Sequence, residues 1–359
     1  PNQAIYGSLG GYAITQLELE QLAEVSFTPM ALDKNYRSSR KIIDYYRNFN
    51  VTPSATVAEG EHCDHPSIIT YDQITHKDNL VEQVSRHIED SVQNLGILEK
   101  EICVIAPWWT HLAALTRNLV NRLPQYGFDG PGLVPFSRDI ENFWFKLTQI
   151  ILTEPSPNMY VKRLRWASDV LYDMELALVD VHSIPPKQLL KTVNSISIDE
   201  DDGLAYLRAF FEALFGELGI DFMLYPMLKE HHESFFNSTQ NRIDRLRNEN
   251  ALFATDIEAF RKAFKPRTGI KVSTIHGVKG GEYDVVISFG LLQDLVPNFN
   301  DPSIESAKKL LYVIGSRARK NLHLISEKGR MSGYGQYRRE RQPTEVLHQL
   351  NFAYDPNLI

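Results

Sequence analysis

The chain has 359 residues, 43% hydrophobic and 23% charged, the balance of a folded globular protein with room for two or three domains. No apolar run approaches the ~20 residues that span a bilayer, no signal peptide is recognisable, and two cysteines, Cys63 and Cys103, exclude a disulfide-stapled scaffold, so a reducing cytoplasm is expected. A net charge of -7 argues against holding nucleic acid by overall charge, so such a contact would have to come from local basic runs such as 308–309, 317–320 and 338–341.

The chain opens on Pro1 rather than methionine, which reads as a piece of a longer protein. A short helix is expected over 15–25. Next comes Leu32-Asp33-Lys34-Asn35-Tyr36-Arg37-Ser38, then a helix carrying Ile42, Ile43, Tyr46 and Phe49 at helical spacing. Ser38 is the expected N-cap, which would leave Arg37 at a strand-to-helix junction. His62, Cys63, Asp64 and His65 are consecutive in the following loop. No second ligand pair accompanies them, so a metal site is not expected.

A strand (67–71), a helix (79–93), a buried strand (102–106) ended by Pro107 and a helix (111–123) alternate in the manner of parallel βαβ units. After Phe136 the texture becomes helical, with patterns over 139–153, 158–180, 186–196, 203–219 and 227–249. Recurring aromatics there, such as Phe143, Trp144, Phe210, Phe211 and Phe215, read as a helical core. A helix over 252–264 leads into a strand (269–274), a polar loop and a β-branched run, Val285-Val286-Ile287. A further helix feeds a strand (322–326), and a last helix is expected near 344–350.

The loop between those two strands concentrates chemistry. It holds Thr274, His276, Lys279, Gly280, Gly281 and Glu282, a hydroxyl, an imidazole, an ammonium and a carboxylate beside two residues without a Cβ. Glycines let a backbone approach a ligand closely, and open α/β sheets place ligands at strand ends.

This stretch resembles the T-x-H-x-x-K-G-x-E-[FYW] signature of UvrD/Rep/PcrA-type superfamily 1 DNA helicases, and Gly290-Leu291 with Pro297 keeps that family's G-L-x-x-x-x-x-P spacing. Three further segments resemble it in order. Gln3-Ala4-Ile5-Tyr6 matches Q-x-I-Y, although Ser8 and Leu9 replace an aromatic and an arginine. Leu32 to Ser38 matches L-x-x-N-Y-R-S. Lys308 to Arg319 matches R-R-L-x-Y-V-A-x-T-R-A-[KR], with Ser316 in place of threonine.

The resemblance implies an α/β fold, a RecA-like parallel sheet flanked by helices with an inserted all-helical subdomain. The RecA-like C-terminal lobe (2A) would comprise 1–137 and 267–327, the 2B-like insert 138–266, and a C-terminal tail 328–359. It implies catalytic roles for Arg317, Arg37 and Gln3 at the γ-phosphate. It implies nucleotide contacts from Tyr36, Glu282 and Gly280, and DNA contacts from Thr274, His276 and Tyr6. As a finger, Arg317 should be removable with little change in thermal stability.

No G-x-x-x-x-G-K-[ST] loop and no strand ending in paired acids occurs, so the phosphate cradle and the magnesium ligands are absent and this piece is expected to be inactive alone. The implied parent is an ATP-dependent 3′-5′ DNA helicase using ATP and Mg²⁺, in the cytoplasm with the nucleoid. Its implied partners are single-stranded and duplex DNA, the N-terminal helicase lobe, and DNA-repair or replication proteins. The alternative is a non-enzymatic helicase-like module that mediates protein or DNA contacts.

Overall fold

The computed structural model describes residues 2–5, 14–28, 33–136, 139–248, 255–265, 268–333 and 338–357. The chain divides into two compact units, Pro1–Pro131 with Thr268–Ile359, and Gly132–Arg267. The boundary residues expected from sequence, 137–138 and 266–267, lie outside the described residues.

In chain order the first unit contributes α1 (Gln16–Ala23), β1 (Lys34–Asn35), α2 (Arg40–Arg47), β2 (Val57–Ala58) and β3 (Ile69–Asp72). It continues with α3 (Leu80–Glu89), β4 (Ile102–Ala106), α4 (Trp109–Arg122) and β5 (Phe128–Asp129). The second unit supplies α5 (Phe143–Ile151), α6 (Tyr160–Leu176), α7 (Pro186–Ser195), α8 (Gly203–Glu217), α9 (Pro226–Asn248) and α10 (Ile257–Lys262). The first unit then resumes with β6 (Ile270–Thr274), β7 (Tyr283–Ser288), α11 (Ile304–Arg317), β8 (Ala318–Ile325), β9 (Met331–Ser332), β10 (Arg339–Glu340) and α12 (Glu345–His348).

Six strands form one sheet in the order β3-β8-β7-β4-β6-β5, and every pairing is parallel. β4 reads Ile-Cys-Val-Ile-Ala and is buried at every position, as expected for a parallel strand covered on both faces. Ile42 and Tyr46 of α2 join Val313 and Ile314 of α11 in one core with Cys103, Ile105 and Val286 of the sheet. α3 and α4 pack together, and α4 lies against β4 and β6. The expected α/β class, its five main strands and their flanking helices therefore form. The two-residue strands β1, β2, β5, β9 and β10 are too short to leave a period in the sequence.

Topology decides where the polar loop goes. β6 and β7 are not neighbours, because β4 lies between them. Since all three run the same way, residues 275–282 must carry the chain from the C-terminal end of β6 back to the N-terminal end of β7. That crossover is a run of turns, with Val278 N–H bonded to the Thr274 carbonyl and Gly281 N–H to that of Val278. Ile275 and Val278 anchor it in the core shared with α2 and α11.

The chain beyond α12 also returns to this unit. Asp355 accepts from the Ile69 amide at 2.6 Å and from Lys41 Nζ at 2.7 Å, and the Tyr354 ring lies 5.9 Å from that of Tyr45.

The described part of the second unit is helical apart from an isolated bridge between Asp202 and Asp256. Trp144 sits at its centre, 4.6 Å from Phe211 and 5.2 Å from Phe215 between ring centroids. Its indole N–H is satisfied by the Leu228 carbonyl at 2.8 Å, as a buried indole requires.

Candidate functional site

One group of candidate residues gathers at the N-terminal edge of the sheet. Asn35 Oδ1 accepts from the amides of Arg37 at 2.8 Å and Ser38 at 3.0 Å, a side-chain turn of the kind asparagine favours. The Asn35 amide group donates to the Tyr46 hydroxyl at 3.0 Å, which ties the turn to α2. The N-cap of α2 is Ser39, whose hydroxyl accepts from the Ile42 amide, and not Ser38 as expected. Ser38 Oγ instead donates to the Ala318 carbonyl at 2.7 Å, while the Ser39 amide donates to that of Arg319 at 3.0 Å. These bonds hold the segment against the junction of α11 and β8.

Arg37 is therefore delivered to the end of α11. Its Nη1 donates to the Ser316 carbonyl at 3.1 Å, and its Nη2 pairs with the Glu282 carboxylate. Its buried Nε has no partner. The hydrogen bond from Arg37 holds the Glu282 carboxyl below its ordinary range, against the opposing effect of partial burial. Tyr36 is 64% exposed, with its ring free to stack. Gly280 has φ +93° and open space where a Cβ would be. Glycine is needed there for backbone conformation rather than for room.

Arg317, expected as a finger removable with little change in stability, is only 2% exposed. Its Nε donates to the Val313 carbonyl at 3.3 Å, Nη1 to the Gly281 carbonyl at 3.1 Å and Nη2 to Ser316 Oγ at 3.0 Å. One of those acceptors is the Val313 carbonyl, one turn back in α11, so the side chain folds along its own helix. Burial, with nearby Arg37 second, depresses its guanidinium pKa. Sequence placed Arg317 beside Arg37 and Glu282, but its exposure required knowing how α11 packs.

Two further candidates, Thr274 and His276, lie at the opposite, C-terminal edge. Thr274 Oγ1 accepts from the Gly277 amide at 3.0 Å and shapes the start of the crossover. His276 Nε2 bonds the Ile5 carbonyl at 3.0 Å, which assigns the proton to that nitrogen. The Gln3 backbone carbonyl accepts from the Ile5 amide at 3.1 Å, and no described bond joins Gln3 to Arg37 or Arg317. Tyr6 lies outside the described residues. The two ends of the loop, to which the resemblance gives different ligands, lie at different edges of the sheet, because the crossover begins at one edge and ends at the other.

The C-terminal edge also holds residues that sequence reading missed. Trp108 and Phe299 stack at 5.8 Å with a 22° interplanar angle. They line a cavity of about 370 Å³ with Lys77, His111, Arg330 and Arg341. Burial, followed by Arg330 and Arg341, pushes His111 down to about 4. A smaller cavity of about 30 Å³ brings Trp108 together with His276 and Ile5. The available signal was Pro107-Trp108-Trp109, two tryptophans directly after β4. Among the described residues, no group of three or more His, Cys, Asp or Glu could hold a metal.

Residues 223–329 match the family of the UvrD-like helicase C-terminal domain, a span that includes β6, the crossover, β7, α11 and β8. No curated protein matches the chain. One similar solved structure is described as the C-terminal domain of a possible DNA helicase from Lactobacillus plantarum WCFS1. It is 13% identical, with 82% of this chain and 88% of that chain covered and a TM-score of 0.32, a likeness too loose to argue from. The family match falls on the motif-bearing strands of a parallel α/β sheet, so residues 223–329 are similar to the C-terminal domain of UvrD-like helicases.

Proposed function

We propose that this chain is the C-terminal lobe of an ATP-dependent DNA helicase, with nucleotide at the N-terminal edge of the sheet and single-stranded DNA at the other. The observation that carries this is the meeting of Arg37, Glu282 and Arg317, drawn from three separate motifs, around Ser316 and Gly281. Two guanidinium groups in one place suit the charge that builds up on a transferring phosphoryl group. The unpartnered Arg37 Nε is a donor left over for such an oxygen. Tyr36 would stack on the base and Glu282 would meet the ribose, with Gly280 shaping the strand entry.

Arg317 would have to leave its carbonyl partners to reach a phosphate. The described residues offer no magnesium ligand set, so Mg²⁺ and the phosphate cradle would come from an N-terminal lobe. At the other edge, Thr274, His276 and Tyr6 would touch DNA, beside the aromatic and basic pocket of Trp108 and Phe299. Stacking on aromatics within a basic groove suits single strands of any sequence.

The crossover joins both edges, so a shift of Glu282 on nucleotide binding has a short covalent route to His276. That is the physical basis proposed for stepping, with 3′-5′ direction taken from the resemblance.

The test is binding of a labelled oligo-dT strand to the isolated chain, which should not hydrolyse ATP. Trp108→Ala should weaken binding by about 1–3 kcal/mol, and affinity should fall steeply with salt. Undiminished binding in Trp108→Ala and His276→Ala would put the DNA elsewhere.

A further inference from the structure

The second unit contains a cleft of about 870 Å³, within the size range of ligand pockets. One wall is the turn carrying Pro155 and Pro157, which continues through a 3₁₀ turn (Pro157–Met159) into α6. The other wall is α7, which Pro186 begins at a position suited to proline. Lys187, Lys191 and Asn194 follow at helical spacing along the lining face of α7.

Arg163 of α6 lines this cleft and is 4% exposed. Its Nη2 donates to Asn194 Oδ1 at 2.8 Å and to the Ile150 carbonyl at 3.2 Å. Its Nε is buried without a partner. Among the described residues, every other one that lines the cleft is neutral or basic. Among the described residues no carboxylate pairs with Arg163. In a chain of net charge -7, a buried guanidinium flanked by two lysines with no counter-ion is not the product of average composition. Burial alone depresses its pKa, and a buried charge left uncompensated is costly. A bound anion would supply the missing compensation.

We propose that this cleft docks an acidic, extended segment of a partner protein. One carboxylate would meet the Arg163 guanidinium beside the nitrogen held by Asn194 and Ile150, and others would meet Lys187 and Lys191. Apolar side chains between them would lie on Pro155, Pro157 and Leu190. A carboxylate matches a guanidinium through paired, charge-assisted bonds. The aliphatic, proline-rich walls favour peptide over nucleic acid, which stacks on paired aromatics such as those of the first unit. The cleft offers a single aromatic, Tyr160. This proposal does not depend on the helicase reading.

The test is fluorescence anisotropy of the full chain with a labelled, capped decapeptide of Glu, Pro and Leu, its Gln-for-Glu counterpart, and an oligo-dT strand. The Glu peptide should bind saturably, and the Gln peptide at least about tenfold more weakly. Lys187→Ala with Lys191→Ala, two exposed positions whose loss should leave the fold intact, should weaken the Glu peptide by a similar factor and leave oligo-dT binding unchanged. Arg163→Lys, which keeps the charge and loses the fork, should also weaken it. Absence of saturable binding, equal binding of both peptides, or displacement of the peptide by oligo-dT with the same lysine dependence would overturn the proposal.

Discussion

Arg37 and Arg317 meet on one residue: Arg37 Nη1 donates to the Ser316 carbonyl at 3.1 Å, and Arg317 Nη2 donates to the Ser316 hydroxyl at 3.0 Å. Like charges this close repel, and the pair is tolerated because Glu282 neutralises Arg37 while backbone carbonyls absorb the donors of Arg317. Phosphate oxygens would be an alternative set of acceptors for the same donors.

Arg317→Ala should therefore destabilise the isolated chain, whatever it does to catalysis. The substitution removes donors from Val313, Gly281 and Ser316 inside a packed junction. Hydrogen bonds from a charged group contribute about 1.5–3 kcal/mol, so a loss of roughly 2 kcal/mol is expected. Urea denaturation at neutral pH measures it. An unchanged midpoint would mean that the side chain is not engaged as described.

Glu282 makes an acid-side prediction. Its folded pKa lies below its unfolded value of roughly 4.3 because Arg37 bonds the ionised form. Its stabilising contribution is thus fully present above that unfolded value and is lost as pH falls through the lower, folded one. Glu282→Gln should lower stability at pH 6, and the deficit should shrink as pH is lowered through the folded pKa. A variant deficit that stays the same from pH 6 down to the acid unfolding of the chain would show that the ion pair is not its cause.

The stacked rings of His87 and His323, 4.1 Å apart, predict a second pH window. Burial pushes His87 down to about 4, with Asp72 and Asp90 opposing, and holds His323 well below its usual value, with His87 adding to the effect. Both are neutral when folded, so the unfolded chain binds more protons below roughly pH 6.5. Stability should fall as pH drops from there toward 4. Replacing both histidines by Phe should flatten that fall in thermal melts taken across the window.

Much of this was legible in the sequence, for identifiable reasons. Ile102 to Ala106 is apolar throughout and could only be a buried strand, and the aromatics of 143–215 repeat at helical spacing. Tyr36, Arg37, Glu282 and Arg317 could be picked out because they stand in fixed motifs. The resemblance gives Thr274 and His276 a different ligand from Glu282, but the distance between them was not legible, since it follows from β4 inserting between β6 and β7. Ser39 displaced Ser38 as the cap because Ser38 finds a better acceptor in Ala318, a contact from the far end of the chain. The pairing of Trp108 with Phe299 is likewise long-range, and only its first half left a trace.

The central claim is that Arg37 faces the nucleotide, and Arg37 is the cleaner probe because Arg317 also holds the fold together. The deciding measurement is DNA-stimulated ATP turnover of the parent polypeptide carrying both lobes, with Arg37→Ala compared with the unmodified protein and oligo-dT affinity measured in parallel. Turnover should fall by about 10³-fold or more, the scale of a phosphate-directed arginine, while DNA affinity stays within about twofold, since Arg37 lies at the other edge of the sheet. Turnover above roughly a tenth of the unmodified rate, or an equal loss of DNA affinity, would contradict the account.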